Sequence, residues 1–88
     1  MSYKLETTPE FDKQLKKLDK FTRTKIASYL LRNIKDIENP RSKGKALVGN
    51  KKGYWRYRVG QYRVIVDIQD EKLVILALEI GHRKDIYK

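Results

Sequence analysis

Three arginines flank a predicted β-turn in the run YWRYRVGQYRVIV, residues 54–66. The residues on each side alternate with a period of two, which is typical of strands, and Gly60-Gln61 has glycine at the first central position of a type II′ turn. A two-residue turn there pairs Arg58 with Arg63 and leaves Arg56 two positions along the same strand. Because directly opposed side chains share a face of a hairpin, the spacing predicts three guanidinium groups on one face.

This arginine face, defined by Arg56, Arg58 and Arg63, favours phosphate chemistry. Like charges opposed across a sheet are unfavourable, whereas guanidinium groups bind phosphate oxygens bidentately and stay charged. Residues 51–63 hold five cations and no acid, so we expect Lys51 and Lys52 to contact RNA beside the arginines. The alternative is an ordinary solvated face on which arginine stems lie over apolar neighbours.

The chain ends in GHRKDIYK, residues 81–88, directly after an apolar run. We expect Gly81 to end the last strand and let the chain turn sharply, so that Arg83 and Tyr87 fold back to the rim of the arginine face. There the arginine supplies charge, and the tyrosine supplies a stacking ring and a phenol. Lys84 adds a cation for RNA. His82 is a candidate RNA-binding residue or a structural one.

These residue types could support cleavage of RNA through its own 2′-hydroxyl. The hydroxyl must lose a proton, cations must stabilise a pentacoordinate phosphorane, and the 5′-oxygen must gain a proton; arginines can neutralise the phosphorane without a metal. The acids show no metal-ligand spacing, and no P-loop, HExxH or GxSxG motif occurs, so we expect no metal and no cofactor. Arginine is a poor base, which leaves Tyr87, His82 or the substrate environment as general base.

The first half of the chain predicts a strand followed by two helices. SYKLET alternates as a short strand does. Thr8 can cap a helix with Pro9 at its first position, and an apolar stripe follows at helical spacing; it consists of Phe11, Leu15 and Leu18. A second helix is expected from near Thr22 to the stop at Asn39-Pro40, and an irregular basic connection occupies residues 41–53.

Three further strands are predicted from Tyr54 onward, with a second tight turn at Asp70-Glu71 and an apolar run from Leu73 to Ile80. The fold class is therefore α+β: a small antiparallel β-sheet with an N-terminal strand and a helical hairpin packed on one face. The face expected to contact the helices carries Trp55, Tyr57, Val59, Tyr62, Val64 and Val66.

Size and charge constrain the partners. The 88 residues suffice for one domain, 1–88, and the net charge of +10 favours a polyanionic partner over charge for solubility alone. The chain has no cysteine, no apolar leader at its N-terminus and no apolar stretch that approaches a membrane span. We expect a cytoplasmic protein without a membrane partner.

The chain resembles the RelE family of toxins from bacterial toxin–antitoxin pairs. The likeness extends over nearly the whole chain and rests on two motifs, W-R-Y-R-V-G-x-Y-R-V and G-H-R-x-x-x-Y. It implies the α+β fold above and an endoribonuclease that enters the ribosomal A site and cuts mRNA, leaving a 2′,3′-cyclic phosphate. A cognate antitoxin protein would silence it, so the implied partners are that antitoxin, the ribosome and mRNA.

The resemblance also implies roles for single residues. Arg56 and Arg58 match two basic positions before the turn, Arg63 matches a phosphate-binding arginine, Arg83 matches a general acid or leaving-group stabiliser, and Tyr87 matches a tyrosine that stacks on or orients the target nucleotide. Arginine in place of lysine at position 58 makes a weaker base than the family pattern offers. The chain also stops one residue after Tyr87, where some relatives continue into a helix.

Two other functions compete with RNA cleavage. A ParE-like toxin of the same fold would poison DNA gyrase without cutting RNA, and a small nucleic-acid-binding module would have no activity. The presence of all five matched residues together favours the RelE-like function, whereas Arg63 alone would not, since a Y-R-V strand is common to both kinds of toxin.

Overall fold

The computed structural model of the protein describes residues 1–49 and 53–82. This described part of the chain contains five strands and two α-helices, in the order β1 Lys4–Thr7, α1 Pro9–Lys17, α2 Lys20–Tyr29, β2 Lys45–Ala46, β3 Trp55–Val59, β4 Tyr62–Gln69 and β5 Val74–His82. A π-helical segment, Leu30–Ile34, extends α2, and a 3-10 turn spans Pro40–Ser42. The predicted α+β class is confirmed.

The strands form one sheet in the order β1-β5-β4-β3-β2. Strands β3 to β5 pair antiparallel, as expected. Strand β2, in the connection predicted to be irregular, also pairs antiparallel with β3, whereas β1 pairs with β5 in parallel, from Lys4 opposite Val74 to Thr7 opposite Ala77. The sheet is therefore mixed, because the first strand joins the sheet beside the last one and runs in the same direction.

The hydrophobic core lies between the two helices and one face of the sheet. Phe11 from α1 and Ile26 from α2 are almost fully buried against Tyr57, Val64 and neighbouring strand residues. The other predicted core-face residues belong to this cluster or pack against it: Trp55, Val59, Tyr62 and Val66. The helical hairpin on one face is thus confirmed, and the opposite face of the sheet carries the arginines.

Helix α1 begins where the sequence predicts. The Thr8 side chain accepts a hydrogen bond from the Phe11 backbone N–H at 3.1 Å, and Pro9 occupies the first helical position. Leu15 and Leu18 pack against the core beside Phe11. The cap satisfies one of the amide groups that every helix leaves open at its N-terminus.

Helix α2 begins two residues earlier than expected. Asp19 is its cap, and its carboxylate accepts from the Thr22 backbone N–H at 3.0 Å and from the Thr22 hydroxyl at 2.7 Å. The sequence pattern placed the start at Thr22 because the apolar period begins only after that residue. Thr22 therefore lies in the first turn, where it supports the cap.

The prediction that the second helix continues to Asn39-Pro40 is wrong. Helical structure ends at Ile34, and Asp36 adopts a left-handed conformation with φ of 62°. The backbone of Asp36 and Ile37 instead hydrogen-bonds that of Tyr3, at 3.0 and 2.9 Å. Pairing with the segment before β1 thus replaces the last turns of the helix.

The hairpin register is the predicted one. Val59 lies opposite Tyr62 and Arg58 opposite Arg63. Gly60 has φ of 62°, as the first central residue of a type II′ turn requires. The second turn is longer than the predicted Asp70-Glu71 pair, since residues 70–73 all lie between β4 and β5.

The basic connection is docked on β3 by two hydrogen bonds. The Tyr57 hydroxyl donates to the Pro40 carbonyl and the Trp55 indole N–H donates to the Lys43 carbonyl, each at 2.7 Å. Burial raises the pKa of Tyr57 above its ordinary value, which keeps the phenol protonated as a donor. Gly44, with φ of 80°, lies so close to β3 that a Cβ there would be 2.1 Å from the Arg56 carbonyl oxygen.

Two of the expectations from the sequence concern the chain as a whole. No helix of the described part of the chain is long and apolar enough to cross a membrane. The assignment of residues 1–88 to one domain stays a prediction.

Candidate functional site

The arginine face lies on β3 and β4, on the side of the sheet away from the helices. Arg58 is directly opposite Arg63, and Arg56 is opposite Ile65. Lys45 of β2 is opposite Arg56 and adds a fourth cation to this face. The register therefore brings together the three predicted arginines, although they come from two strands.

The three arginines differ in burial. Arg58 is exposed, Arg56 is half-buried, and Arg63 is only 6% exposed. The Arg58 Nε lies 3.4 Å from the Gly60 carbonyl oxygen. Ile65, next to Arg63 on the same face, is 2% exposed. The middle of this face is thus not the ordinary solvated surface that the sequence left as an alternative: Arg63 is a buried cation there, whereas Arg58 is an exposed one.

The end of β5 lies beside Arg63, on the side away from Arg58. Gly81 is opposite Arg63 and His82 is opposite Tyr62. The prediction that Gly81 ends the strand is wrong, because Tyr62 offers a partner that carries the ladder one residue further. The predicted return of Arg83 and Tyr87 to the arginine face lies outside the described residues and stays a prediction.

His82 shares a face with Tyr62 rather than with Arg63. The two rings meet edge to face, with centroids 5.0 Å apart and an interplanar angle of 88°. Successive side chains of a strand point to opposite faces, so the histidine lies on the helix side of the sheet. Its RNA-binding role stays a prediction.

The remaining predicted site residues lie outside the described residues. They are Lys51 and Lys52 before the hairpin, and Lys84, Arg83 and Tyr87 at the C-terminus. Their proposed contacts with RNA and their catalytic roles stay predictions.

A carboxylate that the sequence analysis did not single out also lies on the arginine face. Glu79 of β5 is opposite Ile65, and a register shift follows, since Val66 pairs with Ala77. At this β-bulge, β5 has one residue more than the stretch of β4 with which it pairs. The sequence carries a sign of this bulge. The core positions Ile75 and Ala77 are followed by Ile80 instead of residue 79, so the alternation of core and non-core residues shifts by one.

The described residues hold no group of three or more His, Cys, Asp or Glu side chains that could bind a metal ion. The expected independence from metals and cofactors remains a prediction about the reaction.

A second polar cluster lies at the other end of β4. Arg41 donates from both terminal nitrogens to the two oxygens of Asp70, at 3.0 Å each, and the Tyr3 hydroxyl donates to Asp70 Oδ1 at 2.6 Å. The Arg41 and Tyr3 hydrogen bonds lower the pKa of Asp70, and the bond to Asp70 raises the pKa of Tyr3. The cluster joins the basic connection, the β4–β5 turn and the start of β1, far from the arginine face.

Comparison with known proteins identifies relatives over the whole length. A family model described as the ParE toxin of type II toxin–antitoxin systems, parDE, matches residues 5–87. No curated protein sequence gives a match. The toxin–antitoxin complex RelBE2 from Mycobacterium tuberculosis contains a chain 25% identical, with a TM-score of 0.83 over 97% of this chain and 95% of that one.

Two more solved structures have the same fold. A chain of the archaeal RelE–RelB complex from Pyrococcus horikoshii is 28% identical, with a TM-score of 0.70 over 94% of this chain and 97% of that one. A chain of the E. coli RelBE toxin–antitoxin complex is 17% identical, with a TM-score of 0.68 over 92% and 96%. At 17% identity the likeness concerns the fold alone. With the family model matched over nearly all of its length, the chain belongs to the RelE/ParE superfamily of toxins from type II toxin–antitoxin systems.

Proposed function

We propose that this toxin is a ribosome-dependent endoribonuclease that cuts mRNA in the ribosomal A site through attack of the 2′-hydroxyl. The observation that carries the proposal is the pair Arg58 and Arg63, directly opposed on the face of the sheet away from the helices, with Arg56 alongside. Two opposed cations repel each other in the free protein. A phosphodiester bound between them removes that repulsion and is held by bidentate hydrogen bonds.

The burial of the arginines suggests a division of roles. Arg63 is fixed in the floor of the face and would hold the scissile phosphate in one orientation. Arg58 is exposed and would close on the phosphorane as its charge increases, which is the kind of electrostatic stabilisation that accelerates reactions most. Arg56 and Lys45, which are opposed across β2 and β3, would hold neighbouring phosphates.

The C-terminal residues complete this proposed site. Arg83 would stabilise or protonate the leaving 5′-oxygen, and Tyr87 would stack on the target base. Strand β5 ends next to Arg63, so the chain enters the C-terminal segment at the place where such groups are needed. Lys51, Lys52 and Lys84 would add charge along the RNA.

The proposed partner that silences the toxin is a cognate antitoxin. The similar structures from M. tuberculosis and P. horikoshii are toxin–antitoxin complexes. An acidic or apolar antitoxin segment laid over Arg56, Arg58 and Arg63, or one that displaces Tyr87, would block the site. A structure of the complex with both the arginine face and the C-terminus open would contradict this part of the proposal.

The second candidate is a toxin that poisons DNA gyrase without cutting RNA. It is supported by the family model, whose description is the ParE toxin. A nucleic-acid-binding module without activity would use the same charge. The gyrase poison does not require two opposed arginines in the middle of a sheet face, whereas the binding module would hold a phosphate between them without cutting it.

One pair of assays separates these functions. The purified toxin is added to ribosomes programmed with a defined mRNA, and cleavage is mapped by primer extension; in parallel, gyrase is tested for accumulated cleaved DNA. We expect cuts at the A-site codon from the wild type, almost none from Arg58→Ala, and wild-type cutting from the control Lys13→Ala on the exposed side of α1. Cleaved DNA with intact mRNA would favour the gyrase poison.

A further inference from the structure

The proposed cleavage needs a group to take the proton from the 2′-hydroxyl. Of the candidates that the sequence offered, His82 lies on the helix side of the sheet and Tyr87 lies outside the described residues. Guanidinium groups stay protonated at every physiological pH, so the arginine face can stabilise the phosphorane but cannot start the reaction. A carboxylate on that face would supply the missing acceptor. Glu79 is such a residue, and it is half-buried on the strand that borders Arg63.

The register fixes where Glu79 lies. Two rows cross the sheet on the arginine face: Lys45, Arg56, Ile65 and Glu79 in one, and Arg58, Arg63 and Gly81 in the next. Glu79 and Arg63 are therefore diagonal neighbours on paired strands, with Cα atoms about 7–8 Å apart in such geometry. Arg58 and Arg56 are the charged groups facing this region from β3, and the Asp67 carboxylate of β4 lies on the same face, two residues beyond Ile65.

The β-bulge is what places Glu79 on this face. Below the bulge, Ile75 and Ala77 contact the core. Strict alternation would then direct residue 79 toward the core and residue 80 away from it. The extra residue reverses the phase, so Ile80 packs against the core and Glu79 joins the arginines. Bulges that re-aim a side chain are over-represented next to active sites.

The residue next to Glu79 on the same face is a glycine. Gly81 lies opposite Arg63 and contributes no side chain to the space between Arg63 and Glu79. Glycine inside a strand often marks a place where a ligand approaches the backbone closely. A nucleotide placed there would have its phosphate at the arginines and its ribose toward the carboxylate.

We propose that the Glu79 carboxylate is the general base of the cleavage, an inference that rests on the proposed function. In this step the O–H bond of the 2′-hydroxyl breaks and its proton goes to a Glu79 oxygen. The 2′-oxygen forms a bond to phosphorus, and the bond from phosphorus to the 5′-oxygen breaks as that oxygen takes a proton from water. The products are a 2′,3′-cyclic phosphate and a 5′-hydroxyl, and Glu79 afterwards releases its proton to water.

The test is single-turnover cleavage of mRNA on programmed ribosomes with saturating toxin, measured across a range of pH. Glu79→Gln keeps the shape of the side chain but cannot accept the proton, and we expect a rate about 10²–10⁴ lower. The rate of wild-type cleavage should increase with pH in the acidic range. This acid limb of the pH–rate profile should be absent from Glu79→Gln. Glu79→Asp should retain the limb at a reduced rate.

The matched control is Glu71→Gln, which removes an exposed acid from the turn between β4 and β5, at the end of β4 away from Arg63. We expect it to cut at the wild-type rate with an unchanged pH profile. If Glu79→Gln does the same while Arg58→Ala does not cut, Glu79 is not the base and the proposed function stands. If the wild type cuts no RNA, both are overturned. A Glu79→Gln protein with a lower unfolding temperature but an unaltered acid limb would show that Glu79 is merely structural.

Discussion

At the scale of single residues, the opposition of Arg58 and Arg63 is the feature that folding alone does not explain. Residues along each strand alternate between the core and the face away from the helices. Any polar residue would suit a position on that second face. Two arginines at one cross-strand pair oppose like charges. Such a local conflict is expected at a functional site, where binding of a ligand and stability of the fold demand different residues.

Arg58→Ala should therefore separate stability from activity. Because Arg58 is exposed and repelled by Arg63, its removal should leave the free energy of unfolding unchanged or raise it by about 0.2–1 kcal/mol. Cleavage should decrease by about 10²–10³ in rate. Denaturant unfolding and ribosome cleavage of the same preparation measure both quantities. A large loss of stability in Arg58→Ala would mean that the arginine is part of the fold.

At the scale of elements, the basic connection is held against β3 by specific contacts. Tyr57 and Trp55 bind its carbonyls, and Gly44 allows the backbone to approach β3 closely. Lys45 consequently lies opposite Arg56 and extends the arginine face to a third strand. Positioning of this cation thus depends on a glycine that has no chemical role.

Gly44→Ala and Gly49→Ala form a matched pair of substitutions. Both glycines have a positive φ, 80° and 74°, so alanine is strained by about 1–2 kcal/mol at each. Only at Gly44 does the new Cβ also meet the Arg56 carbonyl, whereas nothing in the described chain lies within 4 Å at Gly49. We expect Gly44→Ala to be more destabilising by at least about 1 kcal/mol in urea unfolding. Equal losses would contradict the close docking.

The cluster of Tyr3, Arg41 and Asp70 makes stability depend on pH. The pKa of Asp70 is lowered in the folded protein, so its contribution is fully present above the carboxyl pKa of the unfolded chain, about 3.9, and is lost as pH decreases through the lower folded value. The difference in unfolding free energy between wild type and Asp70→Asn should be larger at pH 7 than below pH 4. Glu71→Gln, in the same turn, is the control. A difference independent of pH would contradict the role of the Asp70 charge.

The sequence predicted local features better than long-range ones. The alternation around Gly60 determined the hairpin register, and Thr8-Pro9 determined the start of α1. The end of α2 was not predictable, because Asp36 leaves the helix to pair with the distant Tyr3 backbone. The Arg41–Asp70 pair was not predictable either, because these two residues are also distant from each other in the sequence. Glu79 could have been found from the break of phase after Ala77, since it is the one acid in the apolar run from Leu73 to Ile80.

At the scale of the whole molecule, the net charge of +10 on 88 residues favours a polyanionic target. Cations that bind phosphates release counterions from RNA, so the affinity should decrease steeply with salt. Replacing Arg56 by Gln should reduce the slope of log affinity against log salt by about one unit, whereas Lys13→Gln on α1 should leave it unchanged. Ribosome binding measured at several salt concentrations decides this, and a flat slope for the wild type would contradict a phosphate-binding face.

The most direct test of the central claim is cleavage of two mRNAs that differ by one oxygen atom. One is entirely RNA, and the other has a single 2′-deoxynucleotide 5′ to the scissile phosphate in the ribosomal A site. We expect the toxin to cut the first mRNA and leave a 2′,3′-cyclic phosphate, and not to cut the second at that site, although both bind equally. Cleavage of the deoxy-substituted mRNA at that site, or intact RNA in both cases with cleaved DNA accumulating on gyrase, would contradict this expectation.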